Sequence, residues 1–331
     1  MYRRAFLTTL AALPLLAACE EKPMLGQEEP AMDSKALQKA MERLAARAAP
    51  GVLGVAAEDL GTRQVWAFNG DRPFVLGSAV RVPILAAVMA DHAAGRLDPN
   101  EVITVRDVDL SPPPSAVADA WPGRKSYTVA ALEALARAGD NTALDLLAKR
   151  IGGPGGVNGL LAVRQLEGIS VDRYRRQAET EAAGLSSFRA DWRGETAWRR
   201  ALMSVSADER ARAIRRRAVD QRDTATPVGL VRLLEAFNTR EVFASAEPRL
   251  LLGNDPGYLA TALPAGARIW QAAGANRNDL GLTPESHAVA LIELKDGRRV
   301  ALAAFLSGST ANAAAREAIL SEAGRTVLKS F

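Results

Sequence analysis

Cysteine and histidine are almost missing from this sequence, which has one cysteine, Cys19, and two histidines, His92 and His287. A single cysteine excludes a disulfide within the chain, and no group of cysteine and histidine residues has the spacing of metal ligands. We therefore expect neither a metal nor a cofactor. A hydrolase with so few histidines is expected to take its general base from a carboxylate or a lysine, or to lack one.

The sequence also lacks a strong excess of charge of either sign. Lysine and arginine total 42 against 38 aspartate and glutamate residues, so the net charge is only +4. This balance does not indicate a protein that binds nucleic acid. Much of the basic excess lies between Arg199 and Arg217, and we interpret these arginines as a solvated helical face rather than a phosphate or lipid site.

The first apolar run, residues 5–16, is too short to cross a bilayer, at about 12 residues against roughly 20. Arg3 and Arg4 precede the run, and small residues lead from it to Cys19. This pattern resembles a lipoprotein signal, so we expect residues 1–19 to direct export and a lipid to be attached at Cys19. The alternative is a buried N-terminal helix, and the two arginines leave general and twin-arginine export both open.

A polar tether is predicted to follow the signal over residues 20–34, because Pro23, Gly26 and Pro30 interrupt a segment with little apolar surface. With the lipid at Cys19, the protein is expected on the periplasmic face of the cell envelope. The choice between the inner and the outer membrane stays open.

Both ends of the remaining sequence, residues 35–331, show strand and helix patterns. The predicted elements are helices at 36–49 and 312–329 and strands at 51–57, 63–68, 288–294 and 300–307. We therefore predict an α/β (α+β) fold in which an antiparallel sheet is flanked by the terminal helices. The two α/β halves are placed at 35–78 and 258–331, and an inserted all-helical part is placed at 79–257.

Several short motifs follow one another along this part of the chain. They are Ser78-Ala79-Val80-Arg81, Gly139-Asp140-Asn141, Val171-Asp172-Arg173-Tyr174, Arg222-Asp223-Thr224 and Arg268-Ile269-Trp270-Gln271. Each motif alone is weak, and a serine such as Ser78 at a helix start is ordinarily an N-cap. Their order and spacing together resemble the class A serine β-lactamases over residues 36–331. The resemblance implies the fold of that family and a serine acyl-transfer site.

The family carries the motifs S-x-x-K, S-D-N and K-T-G. The resemblance implies that Ser78 is the nucleophile and that N–H groups at the following helix start stabilise an oxyanion. Arg81 stands at the lysine position, where a guanidinium cannot accept a proton near neutral pH. Gly139 replaces the serine of the second motif. Asp140 is expected to be structural, whereas Asn141 either binds a substrate amide or is structural too.

The glutamate that activates the hydrolytic water in this family has its counterpart at Arg175, so a carboxylate has become a cation. Glu179 and Glu181 follow and are the available carboxylates, although glutamates in a polar loop are more often solvated. Gln271 to Gly274 occupy the K-T-G position, so the cation, the hydroxyl and the first glycine are expected to be missing. We retain Gln271 as a candidate binding residue.

Neither of the two histidines is expected to have a catalytic role. His92 comes fourteen residues after Ser78 on one helix-like stretch, about 20 Å away at 1.5 Å per residue, which is too far to serve as its base. His287 begins a strand and is predicted to be a surface or packing residue. An inserted stretch at 188–220, with Trp192 and Trp198, is expected to cover a groove or to bind a partner.

These departures favour a catalytically impaired or inactive β-lactamase-like lipoprotein that acts by binding. Its expected partners are a β-lactam or a cell-wall fragment, a protein, and a membrane through the lipid on Cys19. The alternative is a slow serine hydrolase or acyl-enzyme former that uses Ser78 on β-lactams or peptidoglycan-like amides. A third alternative is an enzyme whose chemistry has moved elsewhere on the fold, because a fold does not fix a function.

Overall fold

The computed structural model describes residues 34–238, 251–253 and 257–330. The predicted export signal with Cys19, and the predicted tether up to residue 33, lie outside the described residues. No helix within these ranges is long and apolar enough to cross a membrane. The same ranges contain no group of three or more histidine, cysteine, aspartate or glutamate side chains that could hold a metal ion.

Helices and strands alternate at both ends of the described chain, and helices dominate its middle. The helices are α1 (Ser34–Ala48), α2 (Arg81–Ala93), α3 (Ala116–Ala120), α4 (Val129–Arg137), α5 (Asn141–Arg150), α6 (Gly153–Val163), α7 (Arg175–Ala182), α8 (Glu195–Met203), α9 (Ala207–Ala218), α10 (Pro227–Asn238) and α11 (Ala313–Leu328). The strands are β1 (Val52–Asp59), β2 (Val65–Phe68), β3 (Phe74–Val75), β4 (Val102–Thr104), β5 (Ser126–Thr128), β6 (Thr224–Ala225), β7 (Arg268–Ala275), β8 (Thr283–Glu293) and β9 (Arg299–Ser309). Short 3₁₀ helices lie at Gly77–Val80, Asp107–Asp109, Ala190–Trp192 and Gly257–Ala262.

The main sheet has five antiparallel strands in the order β2-β1-β9-β8-β7. Strands from the two ends of the chain are therefore neighbours, because β1 pairs with β9 along its whole length. Helices α1 and α11 pack against each other, α1 against β1 and α11 against β9. This arrangement is the predicted mixed fold, with an antiparallel sheet and terminal helices.

Helix α10 differs from the prediction, which placed it in the inserted helical part. It packs against β1 and β9 and buries Leu230, Leu233 and Phe237. The sheet is thus covered by helices from more than one region, and β8 is buried over nearly its whole length. A strand that is buried on both faces shows no alternation of polar and apolar residues.

The site is positioned by the chain segment that leaves β3. This segment forms the 3₁₀ helix Gly77–Val80 and continues directly into α2. Residues Arg81–Ala90 are all buried, because α2 runs among α4, α5 and α6. The 3₁₀ helix itself contacts β7 and β8, so the start of α2 lies where the helical part meets the sheet.

Candidate active site

Ser78 lies at this junction, as the second residue of the helix Gly77–Val80. The other three residues of that helix are buried, whereas Ser78 is partly exposed. N–H groups in the first turn of a helix have no partner within the helix and carry its partial positive charge. The hydroxyl is therefore placed where a developing oxyanion would be stabilised.

The hydroxyl of Ser78 is hydrogen bonded to a histidine, with 3.0 Å between Oγ and His287 Nε2. His287 lies in β8, fully buried, between Gly274 of β7 and Phe305 of β9. The prediction of a surface position for His287 is therefore wrong, whereas its burial agrees with the packing alternative. A histidine, rather than a carboxylate or a lysine, is the side chain that contacts the candidate nucleophile.

Gly274 makes room for this pair. A Cβ atom at Gly274 would lie 2.6 Å from Ser78 Oγ and 3.5 Å from His287 Nε2. Real Cβ atoms do not approach other atoms as closely as 2.6 Å, so the pair requires glycine here. The fourth residue of the stretch from Gln271 to Gly274 thus supplies a glycine beside Ser78, whereas the third is alanine.

The structure does not place Gln271 next to Ser78. It lies three residues before Gly274 in β7, and successive side chains of a strand point to opposite faces. Its side chain is buried, and a Cβ atom at Gly257 would lie 3.0 Å from its Nε2. The structure thus places this candidate binding residue on the other face of the sheet.

Arg81 follows Ser78 by three residues and is buried. Its Nη1 lies 3.7 Å from the position of a Cβ atom at Gly139, whose φ of +96° is one that L side chains rarely adopt. The guanidinium therefore lies beside the position where the second family motif has a serine. It supplies positive charge to the site and cannot act as a base.

Arg175 lies at the first residue of α7 and reaches the segment before Ser78. It donates from Nη1 to the carbonyl of Gly77 at 2.9 Å and from Nε to Oδ1 of Asn141 at 3.1 Å. Its Nη2 forms an ion pair with Glu179 at 2.6 Å. A buried cation thus occupies the position at which the resemblance implies a glutamate.

Asn141 has partners within the protein at both ends of its side-chain amide. Its Nδ2 donates to the carbonyl of Pro112 at 3.0 Å, and its Oδ1 accepts from Arg175. These contacts favour the structural alternative for Asn141. Asp140 is structural as predicted, since its carboxylate accepts hydrogen bonds from the N–H groups of Val117 and Ala143.

The other candidate bases are engaged elsewhere. Glu179 is paired with Arg175, and Glu181 accepts hydrogen bonds from Arg173 and Arg222. His92 contacts Glu133 and the carbonyl of Leu97 near the end of α2, which confirms that it is not the base of Ser78.

Arg217 is a site residue that sequence reasoning missed. It belongs to α9, yet its side chain is only 2% exposed and donates to Oε1 of Glu285 at 3.1 Å and 3.3 Å. Glu285, two residues before His287, lies against Gly77, where a Cβ atom would be 2.9 Å from its Cγ. The arginine-rich stretch is therefore not only a solvated face, because one of its arginines lies under the site.

The electrostatics of the site hold His287 neutral. Burial, followed by the positive charges of Arg81, Arg175 and Arg217, lowers its pKa to about 3. Its Nδ1 is buried and has no hydrogen-bond partner among the described residues, so no carboxylate there orients the ring. A neutral imidazole can accept the proton of Ser78, but it is a weak base when three guanidinium groups disfavour its charged form.

Comparison with known proteins agrees with this fold. The model of the β-lactamase enzyme family matches residues 35–331. Over 121 residues, 37% of this chain and 39% of the relative, the sequence is 30% identical to a β-lactamase of Rhodobacter capsulatus. Over 109 residues, 33% of this chain and 38% of the relative, it is 28% identical to the β-lactamase PSE-4 of Pseudomonas aeruginosa. The matched segment thus spans about two fifths of these curated relatives.

Solved structures extend the likeness to the whole fold. The class A β-lactamase of the last common ancestor of Gram-negative bacteria superimposes with a TM-score of 0.69 at 25% identity, covering 89% of this chain and 99% of that one. A β-lactamase mutant of Vibrio parahaemolyticus gives a TM-score of 0.67 at 19% identity, covering 89% of this chain and all of that one, which shows the fold alone. With the family model matched over residues 35–331, this chain belongs to the β-lactamase enzyme family.

Proposed function

We propose that this protein is a catalytically impaired β-lactamase family member that acts by binding a ligand at Ser78 rather than by hydrolysing it. One observation carries the proposal. The guanidinium groups of Arg81 and Arg175 stand where the family has its lysine and its deacylating glutamate, and neither can accept a proton. The names of the relatives suggest a β-lactam as the ligand, and a cell-wall fragment with a similar amide is the alternative.

The expected impairment is large. Loss of a general base typically slows a reaction by about 10²- to 10⁴-fold. Two positions that the family uses for proton transfer are altered here, and losses within one catalytic unit do not simply multiply. Binding has fewer requirements, because it needs access to the partly exposed Ser78 but no proton transfer.

A slow serine hydrolase, which forms an acyl-enzyme and then releases product, is the second candidate. The 3.0 Å contact between Ser78 Oγ and His287 Nε2 favours it, since a hydroxyl next to a neutral imidazole is the arrangement of an activated serine. The two candidates differ in turnover. A hydrolase releases many equivalents of product for each protein molecule. A binding protein consumes at most one equivalent of ligand and does not turn over.

The test measures binding and turnover on the same protein. A penicillin is expected to raise the melting temperature, and a chromogenic cephalosporin is expected to release no more colour than a single turnover of each protein molecule would give. Ser126→Ala, which alters an exposed serine in β5, is the matched control and should behave as the parent. Sustained colour release that Ser78→Ala abolishes would establish a hydrolase and overturn the proposal.

The proposal includes a lipid anchor at Cys19 that holds the protein at the periplasmic face of the envelope. Its support is the sequence of residues 1–19, which lie outside the described residues. In bacteria fed a labelled fatty acid, the parent chain should carry the label and sediment with membranes. Cys19→Ser should lose both, and an unlabelled parent chain would contradict the anchor.

A further inference from the structure

The contact between Ser78 and His287 bears on how a ligand is held. Ser78 is partly exposed, so a ligand can reach its hydroxyl, whereas His287 is fully buried behind it. The distance of 3.0 Å between Oγ and Nε2 lies within the range over which a base takes up a proton. The arrangement therefore separates the group that meets the ligand from the group that receives the proton.

We infer that His287 is the catalytic base of Ser78 and that the ligand of this site is held as a covalent acyl-enzyme. This inference rests on the proposed function, which it deepens by making the binding covalent. No other described side chain in the site is suited to the role. Arg81 and Arg175 cannot accept a proton, and the carboxylate of Glu179 is occupied by Arg175.

The local structure is built around this pair. Gly274 leaves the space that Ser78 Oγ and His287 Nε2 occupy, since a Cβ atom would meet both atoms. The pairing of β8 with β7 and β9 fixes the backbone of His287, opposite Gly274 and Phe305. The ring of His287 also lies against Phe305, with 6.3 Å between the ring centroids. The histidine is therefore held in place by its strand neighbours rather than by a carboxylate of the described chain.

The chemical step balances with the groups present. Ser78 Oγ attacks the lactam carbonyl carbon, a new O–C bond forms, and the hydroxyl proton passes to His287 Nε2 while the carbonyl π electrons move onto oxygen. The oxyanion then collapses and the C–N bond breaks. The nitrogen takes the electron pair of that bond and the proton from Nε2. The product is a serine ester with the full mass of the ligand, and the imidazole is neutral again.

The reaction is expected to stop at this ester. Opening a lactam ring leaves the amine tethered to the acyl group, so it stays near Nε2 and hinders water there. The residue at the position of the family's deacylating glutamate is Arg175, which cannot activate water. Formation of the ester is expected to be slow, because the charged form of His287 is disfavoured by burial and by three arginines.

The experiment is intact mass spectrometry of the protein with benzylpenicillin, alongside a thermal-shift measurement of binding. The parent protein should gain the mass of one penicillin, and Ser78→Ala should gain none. His287→Gln should still bind penicillin but form the adduct at least about 100-fold more slowly, the lower end of what losing a base costs. His92→Gln, which changes the other histidine near the end of α2, is the matched control and should react as the parent.

The pH dependence separates a base with a low pKa from one with an ordinary histidine pKa. With a pKa of about 3, His287 is neutral from pH 5 to pH 8, so the rate of adduct formation should be flat over that range. A base with an ordinary histidine pKa near 6.5 would make the rate rise through this interval. A rising rate that His287→Gln preserves would assign the proton transfer to another group and overturn the inference.

The remaining outcomes distinguish this inference from the function on which it rests. If penicillin shifts the melting temperature of the parent protein but no adduct forms, His287 is not a working base and the binding function stands. An adduct that forms in His287→Gln at the parent rate also overturns the inference alone. If penicillin neither binds nor reacts, both this inference and the proposed function are wrong.

Discussion

The carboxylate of Asp145 accepts a hydrogen bond of 2.6 Å from the backbone N–H of Arg175. Its second oxygen accepts from the N–H of Arg176 at 2.8 Å and from the hydroxyl of Ser111 at 2.6 Å. Tyr174, the residue before α7, makes no side-chain cap, so Asp145 of α5 satisfies the first turn of α7 instead. The direction in which Arg175 points is therefore set by a residue of another helix.

Asp145 is expected to make the stability of the protein depend on pH. Burial raises its pKa to about 6, against about 3.9 in an unfolded chain. The folded state therefore binds this proton more readily, and the contribution of Asp145 to stability falls as pH rises from about 4 to about 6. The Asp145→Asn variant keeps an acceptor for the backbone amides but cannot ionise, so this decrease in stability with pH should disappear. Unfolding by urea at pH 5 and pH 7.5 measures the free energy of unfolding under both conditions. Asp145→Ala, which leaves the amides without an acceptor, should be less stable at both pH values; identical pH profiles for Asn and parent would refute the prediction.

Arg217 is expected to stabilise the folded protein, whereas its neighbour Arg216 is not. Removing one partner of a buried ion pair leaves an unpaired charge, which typically costs about 3–5 kcal/mol. Arg217→Met should therefore lower the free energy of unfolding by roughly that amount, because Glu285 remains buried. Arg216→Met is the matched control, since Arg216 is exposed on the same helix. Equal effects of the two substitutions would show that the pair contributes little.

Gly274→Ala tests the space around Ser78 and His287. The added Cβ atom would overlap Ser78 Oγ, so the hydroxyl must rotate away from Nε2. Adduct formation with penicillin should then fall by about 100-fold or more, since small misplacements of a reacting group have effects of this size. Gly159→Ala, at an exposed position of α6 with nothing within 4 Å, should react normally and gain about 0.5–1 kcal/mol of stability. Normal reactivity in both variants would argue against a role for the hydrogen bond between Ser78 and His287.

Arg232→Met should destabilise the protein in alkaline but not in acidic solution. Burial raises the pKa of Glu58 to about 7, and the ion pair of 2.9 Å with Arg232 acts against this rise. Without Arg232 the pKa of Glu58 rises further, so its ionised form at pH 8 becomes more costly, whereas at pH 5.5 it is protonated in both proteins. Thermal unfolding at the two pH values measures the difference. Arg212→Met, at an exposed residue of α9, should show no such dependence.

Much of the fold follows from local sequence patterns. The terminal helices and the strand pairs at 51–68 and 288–307 have clear periodicity or turns, and the structure places each within a few residues of the prediction. Helix α10 was assigned to the wrong part, because an apolar face such as that of Leu230 and Leu233 shows burial but not the surface that covers it.

The candidate site was less accessible from the sequence. Ser78 and Arg81 lie on one helical segment, so their proximity follows from spacing. His287 is 209 residues from Ser78, and only the order of the strands brings β8 beside the start of α2. A histidine in an apolar strand was the available signal, and the local pattern does not distinguish a contact with Ser78 from packing alone. Arg217 was hidden for the same reason, within a run of arginines that are mostly exposed.

The contacts of Arg175 bear on how such a protein evolves. Changing Arg175 alone to glutamate would place its carboxylate one helical turn from that of Glu179. The carbonyl of Gly77 and Oδ1 of Asn141, which now accept hydrogen bonds from Arg175, would lose this donor. Such an intermediate would be less stable than its predecessor before it gained any activity. A glutamate at position 175 is therefore expected to be tolerated only together with compensating changes at its present partners, Glu179 and Asn141.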